Sequence, residues 1–318
     1  MDFKHRKVLV TGGAGFIASH LCEALLAEGA EITVIDDFND FYDPAIKRSN
    51  IAGFRDRIRL VEGDIRDPSL VASIFAQTQF ETVFHFAARA GVRPSIADPR
   101  LYISTNIDGT LNLLEGCRQT GVRHFIFASS SSVYGVNEKT PFAEDDLIQR
   151  TISPYAASKL AGEQLCSNYS HLHGIRCMCL RFFTVFGPRQ RPDLAISKFT
   201  RLIMADQEIE QYGDGSTARD YTFVEDIVCG VMAAACYAET DFEIINLGGS
   251  AANTLSDLIL GIEQILGKKA QIRQLPDQPG DVPITYADVS KARRLLGYTP
   301  ATPLKAGLER YIQWLPSH

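Results

Sequence analysis

Lys7-Val8-Leu9-Val10-Thr11-Gly12-Gly13-Ala14-Gly15-Phe16-Ile17-Ala18 is the stretch that decides the fold. A short apolar strand runs into glycines, and Phe16, Ile17, Leu21 and Leu25 then recur at helical spacing. Glycines between a strand and a helix let the backbone approach a pyrophosphate, which then sits on the helix N-terminus. The spacing Gly12-x-x-Gly15-x-x-Ala18 ends on a small residue that serves close helix packing.

Three later strand ends support a dinucleotide site. Ile32–Ile35 ends at Asp36-Asp37, and an acid there holds a ribose 2′-hydroxyl and repels a 2′-phosphate, favouring NAD over NADP. Ile58–Ile65 is a strand whose Asp64 could reach the adenine. Thr82–Ala88 ends in Phe86, Ala87 and Ala88 at the same edge. His85, inside that apolar run, reads as a packed, hydrogen-bonded histidine rather than a catalytic one. Helices are expected over Leu101–Gln119, with Asn106 facing the cofactor or the next strand, and over Tyr155–His171. The alternation predicts a doubly wound parallel α/β sheet of Rossmann type over residues 1–183.

The chemistry concentrates between Ser129 and Lys159. Phe125-Ile126-Phe127-Ala128 is a buried strand that delivers Ser129-Ser130-Ser131-Ser132 to the carboxyl edge, where open α/β sheets bind ligands. Ser153 and Pro154 suit the N-cap and first position of a helix. On that helix Tyr155 and Lys159, four apart, share a face. A phenol is a poor base at neutral pH, so an adjacent ammonium and a cationic nicotinamide are expected to lower its pKa. A serine hydroxyl would hold the reacting oxygen.

After Phe183 the character changes to a basic, proline-bearing loop, Thr184–Asp193, then a glycine-rich turn, Gln211–Asp220. Helices are expected at Ala195–Met204, Val224–Tyr237 and Leu255–Leu266, and a strand at Glu243–Leu247. Residues 184–318 thus form mainly a smaller substrate-binding lobe over the sheet edge, with later segments returning to the first domain.

With 318 residues, 45% of them hydrophobic, and a net charge of −6, the composition is that of a globular protein without a nucleic-acid or anionic-membrane partner. No apolar run is long enough to cross a bilayer, and the N-terminus leads straight into a strand rather than a signal peptide. Seven scattered cysteines with no Cys-x-x-Cys pair fit a reducing cytoplasm and no metal site.

In combination the glycine loop, Asp36, the serines and Tyr-x-x-x-Lys resemble the extended short-chain dehydrogenase/reductase family of nucleotide-sugar enzymes, over essentially the whole chain. Within it, Asp40–Pro44, Ala90–Ser95, Ser129–Gly135 and Arg181–Pro188 look most like the UDP-glucuronic acid 4-epimerases. Ala18 replaces the usual last glycine, and Asp37 a frequent asparagine. The resemblance implies that Gly12, Gly15, Phe16 and Ile17 carry the NAD pyrophosphate and that Asp64 and Ile65 flank the adenine. It makes Tyr155 the base, Lys159 the ligand of the nicotinamide ribose and Ser130 the holder of the reacting hydroxyl. Arg219 and Asp281 match positions that bind the UDP diphosphate and ribose.

Decarboxylating relatives place a glutamate before Val133-Tyr134-Gly135, and 4,6-dehydratases an Asp-Glu pair; here stand the neutral Ser131 and Ser132. They, with Thr184 and Arg191, would grip a C6 carboxylate so as to disfavour loss of carbon dioxide. For Arg191 a phosphate contact or a solvated loop position stays open beside the carboxylate. Arg93 and Arg189 are weaker candidates for that role. A UDP-glucose 4-epimerase with a neutral C6 pocket is the alternative. Related enzymes pair through two long helices, so a homodimer with a four-helix bundle is expected.

Overall fold

The computed structural model describes residues 3–276 and 283–315. The first half alternates as the glycine-loop reading requires: β1 (Lys7–Thr11), α1 (Phe16–Ala27), β2 (Glu31–Asp36), α2 (Pro44–Ile51), β3 (Arg59–Glu62), α3 (Pro68–Gln77) and β4 (Thr82–His85). Helices α4 (Val92–Ala97), α5 (Pro99–Ile103) and α6 (Gly109–Thr120) follow, then β5 (His124–Ser130), α7 (Pro154–His173) and β6 (Arg176–Phe182). The remainder comprises β7 (Thr184–Phe186), α8 (Ala195–Met204), β8 (Glu208–Tyr212), β9 (Ala218–Arg219), β10 (Tyr221–Phe223) and α9 (Val224–Cys236). It closes with β11 (Phe242–Leu247), β12 (Asn253–Thr254), α10 (Leu255–Leu266), β13 (Gln271–Leu275), β14 (Ile284–Thr285), α11 (Ser290–Leu296) and α12 (Leu304–Trp314).

Seven parallel strands in the order β11-β6-β5-β4-β1-β2-β3 form the central sheet. The order reverses between β1 and β4, and that switch opens the crevice at the carboxyl ends in which such sheets bind ligands. Strand β11 returns from the second half of the chain to pair with β6 in register Leu247↔Phe182. One sheet face packs on α1 and α9 through Phe16, Leu21, Leu25, Val228 and Val231. The other packs on α3, α6 and α7 through Ile74, Phe75, Leu113, Cys117 and Cys166. A third core, around Phe186, Phe223, Ile203, Ile262 and Tyr311, is built from segments after Phe183.

Four helices start on a capping side chain followed by proline: Asp43-Pro44, Asp67-Pro68, Asp98-Pro99 and Ser153-Pro154. The cap oxygen satisfies an orphan N–H and the proline ring presets φ. Ser153 accepts from Ala156 N at 3.1 Å, which starts α7 where the sequence placed it. The helix expected over Leu101–Gln119 is one continuous helical stretch that changes gauge. Between α5 and α6, Ser104–Asp108 form a π-turn, carrying one more residue than a regular turn holds. Asn106 sits in it, accepting from Arg89 N at 2.8 Å and donating to Arg89 O and Ser158 Oγ. None of these partners is on the next strand, and Asn106 itself does not line the crevice: it ties the chain after β4 to α7.

Candidate active site

At the reversal of strand order lies a cleft of about 500 Å³. Gly12, Gly15, Phe16, Ile17 and Asp36 line one side; Ser130, Ser131, Ser132, Tyr155 and Lys159 line the other, with Phe86, Ala88, Thr184 and Arg191 between them. A small recess that shares Asp36 and Ala88 with the cleft contains Asp64, Ile65 and Ala87. Residues from seven segments of the sequence are thus brought to one hollow by the sheet topology.

The glycine side is built for a phosphate. Gly12 has φ +68°, and a Cβ there would stand 2.8 Å from the Ala87 backbone, so only glycine lets the loop lie against the end of β4. Gly15 is the N-cap of α1 and supplies no side-chain cap, which leaves the first-turn N–H groups to an anion. Asp36 accepts from Ala14 N (3.1 Å) and Phe38 N (3.0 Å), one bond per oxygen, so both oxygens keep a lone pair for ribose hydroxyls. Burial raises its carboxyl pKa, against the pull of Lys47, whose ammonium lies 3.8 Å away. In the recess, the buried Thr105 hydroxyl has no protein partner, which suits a nucleobase edge. These residues fit a dinucleotide.

His85 is buried and hydrogen-bonded through both ring nitrogens, away from the cleft lining. Thr11 Oγ1 accepts from Phe86 N and Ala87 N, so its own proton goes to His85 Nδ1 at 2.8 Å. Nε2 then carries the ring proton and gives it to Thr110 Oγ1 at 2.9 Å. Burial holds the imidazole neutral, far below its ordinary pKa. The ring is a clasp between β1, β4 and α6.

Ser130 Oγ donates to Ser132 Oγ at 3.1 Å and accepts from Ser132 N. Tyr155 packs edge-on against Tyr102, with ring centroids 6.2 Å apart. One sequence expectation needs correction here. Lys159 was to lower the Tyr155 pKa, but burial raises the phenol, and the opposing pulls come from the Ser130 hydroxyl and Arg191. Lys159 Nζ is instead directed to Ala128 O at 2.8 Å and lies 5.0 Å from the Phe127 ring centre. Burial brings its own pKa down to about 8.

Behind the serines runs a buried ion pair that sequence reasoning missed. Arg181 of β6 donates Nε and Nη2 to Glu163 of α7 at 2.9 and 2.8 Å, and Ser129 Oγ donates to the same carboxylate at 2.5 Å. Side-chain exposure is 3% for Arg181 and 0% for Glu163. Glu163 stands one turn beyond Lys159, so the pair fixes α7 to β6, and the Ser129 bond ties the same carboxylate to β5, the strand that delivers Ser130.

Arg191 lines the cleft with its guanidinium 5.4 Å from the Phe41 ring centre, and Asp193 already holds its Nε and Nη2 at 3.0 Å each. Three other candidates lie elsewhere. Arg93 is outside the cleft lining, turned by α4 over the Tyr212 ring at 5.3 Å. Arg189 leaves the cleft for Glu23, at 2.7 Å. Arg219, on β9, donates to its neighbour's carbonyl, Ala218 O, and does not line the cleft. Asp281 falls outside the described residues. Conversely Asn39, Lys47 and Arg89 line the cleft without having been singled out; Asp43-Pro44, which starts α2 and so fixes where Lys47 falls, was the available signal.

The profile of the GDP-mannose 4,6 dehydratase family matches residues 9–311. The chain belongs to this family. Among relatives, UDP-glucuronate 4-epimerase 4 of Arabidopsis thaliana is 42% identical over 98% of this chain and 75% of its own length. The solved UDP-glucuronic acid 4-epimerase of Bacillus cereus, in complex with UDP-glucuronic acid and NAD, superposes with a TM-score of 0.92 at 37% identity, covering 98% of this chain and 99% of that one. The Thermotoga maritima UDP-glucose 4-epimerase, with UDP-glucose, gives 0.91 at 31% identity over 98% and 99%. Solved epimerases carrying a uronate and a neutral sugar nucleotide thus share the fold seen here.

Proposed function

We propose that the chain is an NAD-dependent UDP-sugar 4-epimerase that interconverts UDP-glucuronic and UDP-galacturonic acids. The observation that carries this reading is the wall opposite the glycine loop: Tyr155, Lys159 and Ser130 for the redox step, with Ser131, Ser132, Thr184 and Arg191 beside them and no carboxylate among these residues. When bound, NAD supplies the hydride acceptor and donor for C4 and a positive charge beside the phenol. Ser130 Oγ holds the C4 oxygen, and Tyr155 Oη takes its proton and later returns it. Lys159, which holds Ala128 O in this structure, would hold the nicotinamide ribose of a bound NAD. The 4-keto sugar turns over in the cleft and is reduced on its other face. A 4-keto uronate loses carbon dioxide readily, and the neutral hydroxyls with one guanidinium hold the carboxylate without offering an acid or base to that loss. Asp64, Ile65 and Ala87 would flank the adenine, and Arg219 and Asp281 the UDP moiety, with Arg93 and Arg189 outside the sugar site.

The second reading is a UDP-glucose 4-epimerase, favoured by Asp193 already satisfying one edge of Arg191. Purified protein is to be incubated with each sugar nucleotide, without added NAD, and products followed by NMR. Galacturonate formation without UDP-pentose supports the uronate site. Turnover of UDP-glucose alone reassigns Arg191 and the serines, and a UDP-pentose product contradicts the argument from the absent glutamate.

For assembly, the exposed Ile103, Leu111 and Leu172 on α5, α6 and α7 suit the helical homodimer face, checked by sedimentation. Five buried and two exposed free cysteines accord with a reducing cytoplasm. Among the described residues no helix is long and apolar enough to cross a membrane, and no group of side chains could hold a metal.

A further inference from the structure

Arg191 sits at the joint of two consecutive proline turns. In the first, Gln190 N donates to Gly187 O at 3.1 Å, with Pro188 second and Arg189 third. In the next, Leu194 N donates to Arg191 O at 3.3 Å, with Pro192 second and Asp193 third. Arg189 takes φ +64°, a conformation that non-glycine residues adopt only at a cost. It is held there by Glu23, while His20 Nε2 meets Pro188 O at 2.9 Å. Both anchors are on α1, the helix whose N-terminus faces the phosphates. The loop's backbone is therefore pinned to the cofactor side of the cleft, and the second turn folds the Asp193 carboxylate back onto Arg191.

We infer that Asp193 is a positioning residue that sets selectivity for a C6 carboxylate by aiming Arg191. The inference rests on the uronate reading above. A guanidinium offers two bidentate edges, Nε–Nη2 and Nη1–Nη2. Asp193 takes the first with two 3.0 Å bonds, and the Phe41 ring supports the flat face. The second edge is the one left to meet a substrate anion. An arginine held on one edge and one face loses little freedom on binding, whereas an unheld one must be ordered by the ligand. Asp193 is half exposed and absent from the cleft lining, so it would act through Arg191 rather than on the substrate directly.

The test compares the holoenzyme with Asp193→Ala, Asp193→Asn and Asp193→Glu, measuring KM for UDP-glucuronate and the inhibition constant of UDP-glucose competing with it. Expected for Asp193→Ala is a rise in KM of about tenfold, equivalent to about 1.4 kcal/mol, with the UDP-glucose constant changed less than twofold. Asp193→Asn, which keeps one acceptor, should fall between, and Asp193→Glu should recover part of the loss. In an Arg191→Ala background, Asp193→Ala should add nothing. A lower KM would make Asp193 a competitor of the substrate and overturn the inference; so would an unchanged KM, or an equal rise in both constants. Wild-type protein that turns over UDP-glucose but not UDP-glucuronate refutes the uronate reading itself, a failure visible before any variant is made.

Discussion

Replacing Glu163 by glutamine tests whether α7, the helix of Tyr155 and Lys159, is held by charge. The carboxylate receives three hydrogen bonds, two from Arg181 and one from Ser129, in a site with essentially no water contact. Glutamine keeps the shape but turns an amide donor toward one of those donors and leaves the Arg181 cation uncompensated. The Arg181 Nη1 is already buried without a hydrogen-bond partner, and the neighbouring Tyr134, whose ring centre lies 4.7 Å from the guanidinium carbon, offers no formal negative charge in place of the carboxylate. Breaking a buried pair from one side costs about 3–5 kcal/mol, a large part of the roughly 5–15 kcal/mol that holds a folded protein together. Urea unfolding of the cofactor-free protein, followed by circular dichroism, should show that loss. The paired change Glu163→Leu with Arg181→Met removes both charges and should recover most of it. A Glu163→Gln protein within about 1 kcal/mol of the parent would refute the reasoning, as would a double variant no more stable than the single one. Because Tyr155 and Lys159 ride on the same helix, turnover should fall along with stability.

Lys159 works against the fold it serves: a pKa of about 8 against an ordinary 10.5 corresponds to about 3 kcal/mol of destabilisation at pH 7. Lys159→Met should abolish epimerisation yet raise the melting temperature of the cofactor-free protein at pH 7. Between pH 8 and 10.5 the unfolded chain keeps a proton that the folded one has released, so the wild type gains stability and the advantage should shrink. Tyr155→Phe should lower turnover by about 10²–10⁴-fold while the purified protein still carries NAD, measured as absorbance of released nucleotide. Arg118 and then Tyr169 hold the Glu115 carboxyl at about 2, so its contribution is full above pH 4.5 and is lost as pH falls through 2; Glu115→Gln should flatten the loss of stability over that window in an acid titration.

What the sequence disclosed depended on whether a residue's role was local. Gly12, Gly15 and Asp36 act through backbone geometry at strand ends, and Ser153-Pro154 starts a helix by itself, so spacing alone placed them. Tyr155 and Lys159 share a face by helical period. Lys47, by contrast, reads as one more solvated helix lysine until α2 lays it beside Asp36. Glu163 and Arg181 are 18 residues apart on different elements, and only the packing of α7 on β5 and β6 joins them. Arg93 and Arg219 carry the right charge, yet their elements point the guanidinium groups at Tyr212 and at the Ala218 carbonyl. The sign of the Tyr155 shift depended on burial, which residue spacing does not report.

The π-turn at Ser104–Asp108 has a consequence for how this chain tolerates change in length. Each residue of an α-helix advances the direction by about 100°, so the extra one rotates everything after it relative to everything before. Ahead of the turn, the buried Tyr102 ring meets Tyr155; beyond it, Leu113, Leu114 and Cys117 meet the sheet. Gly109, just past the turn, lies so close to Ile65 that a Cβ would stand 2.6 Å from its side chain. Deleting one residue here would make a straighter, more regular helix and still ruin the protein, because the two halves are geared to different partners. A single-residue gap within 104–108 therefore amounts to a change of phase, and Tyr155 and the sheet could no longer both be served by one helix.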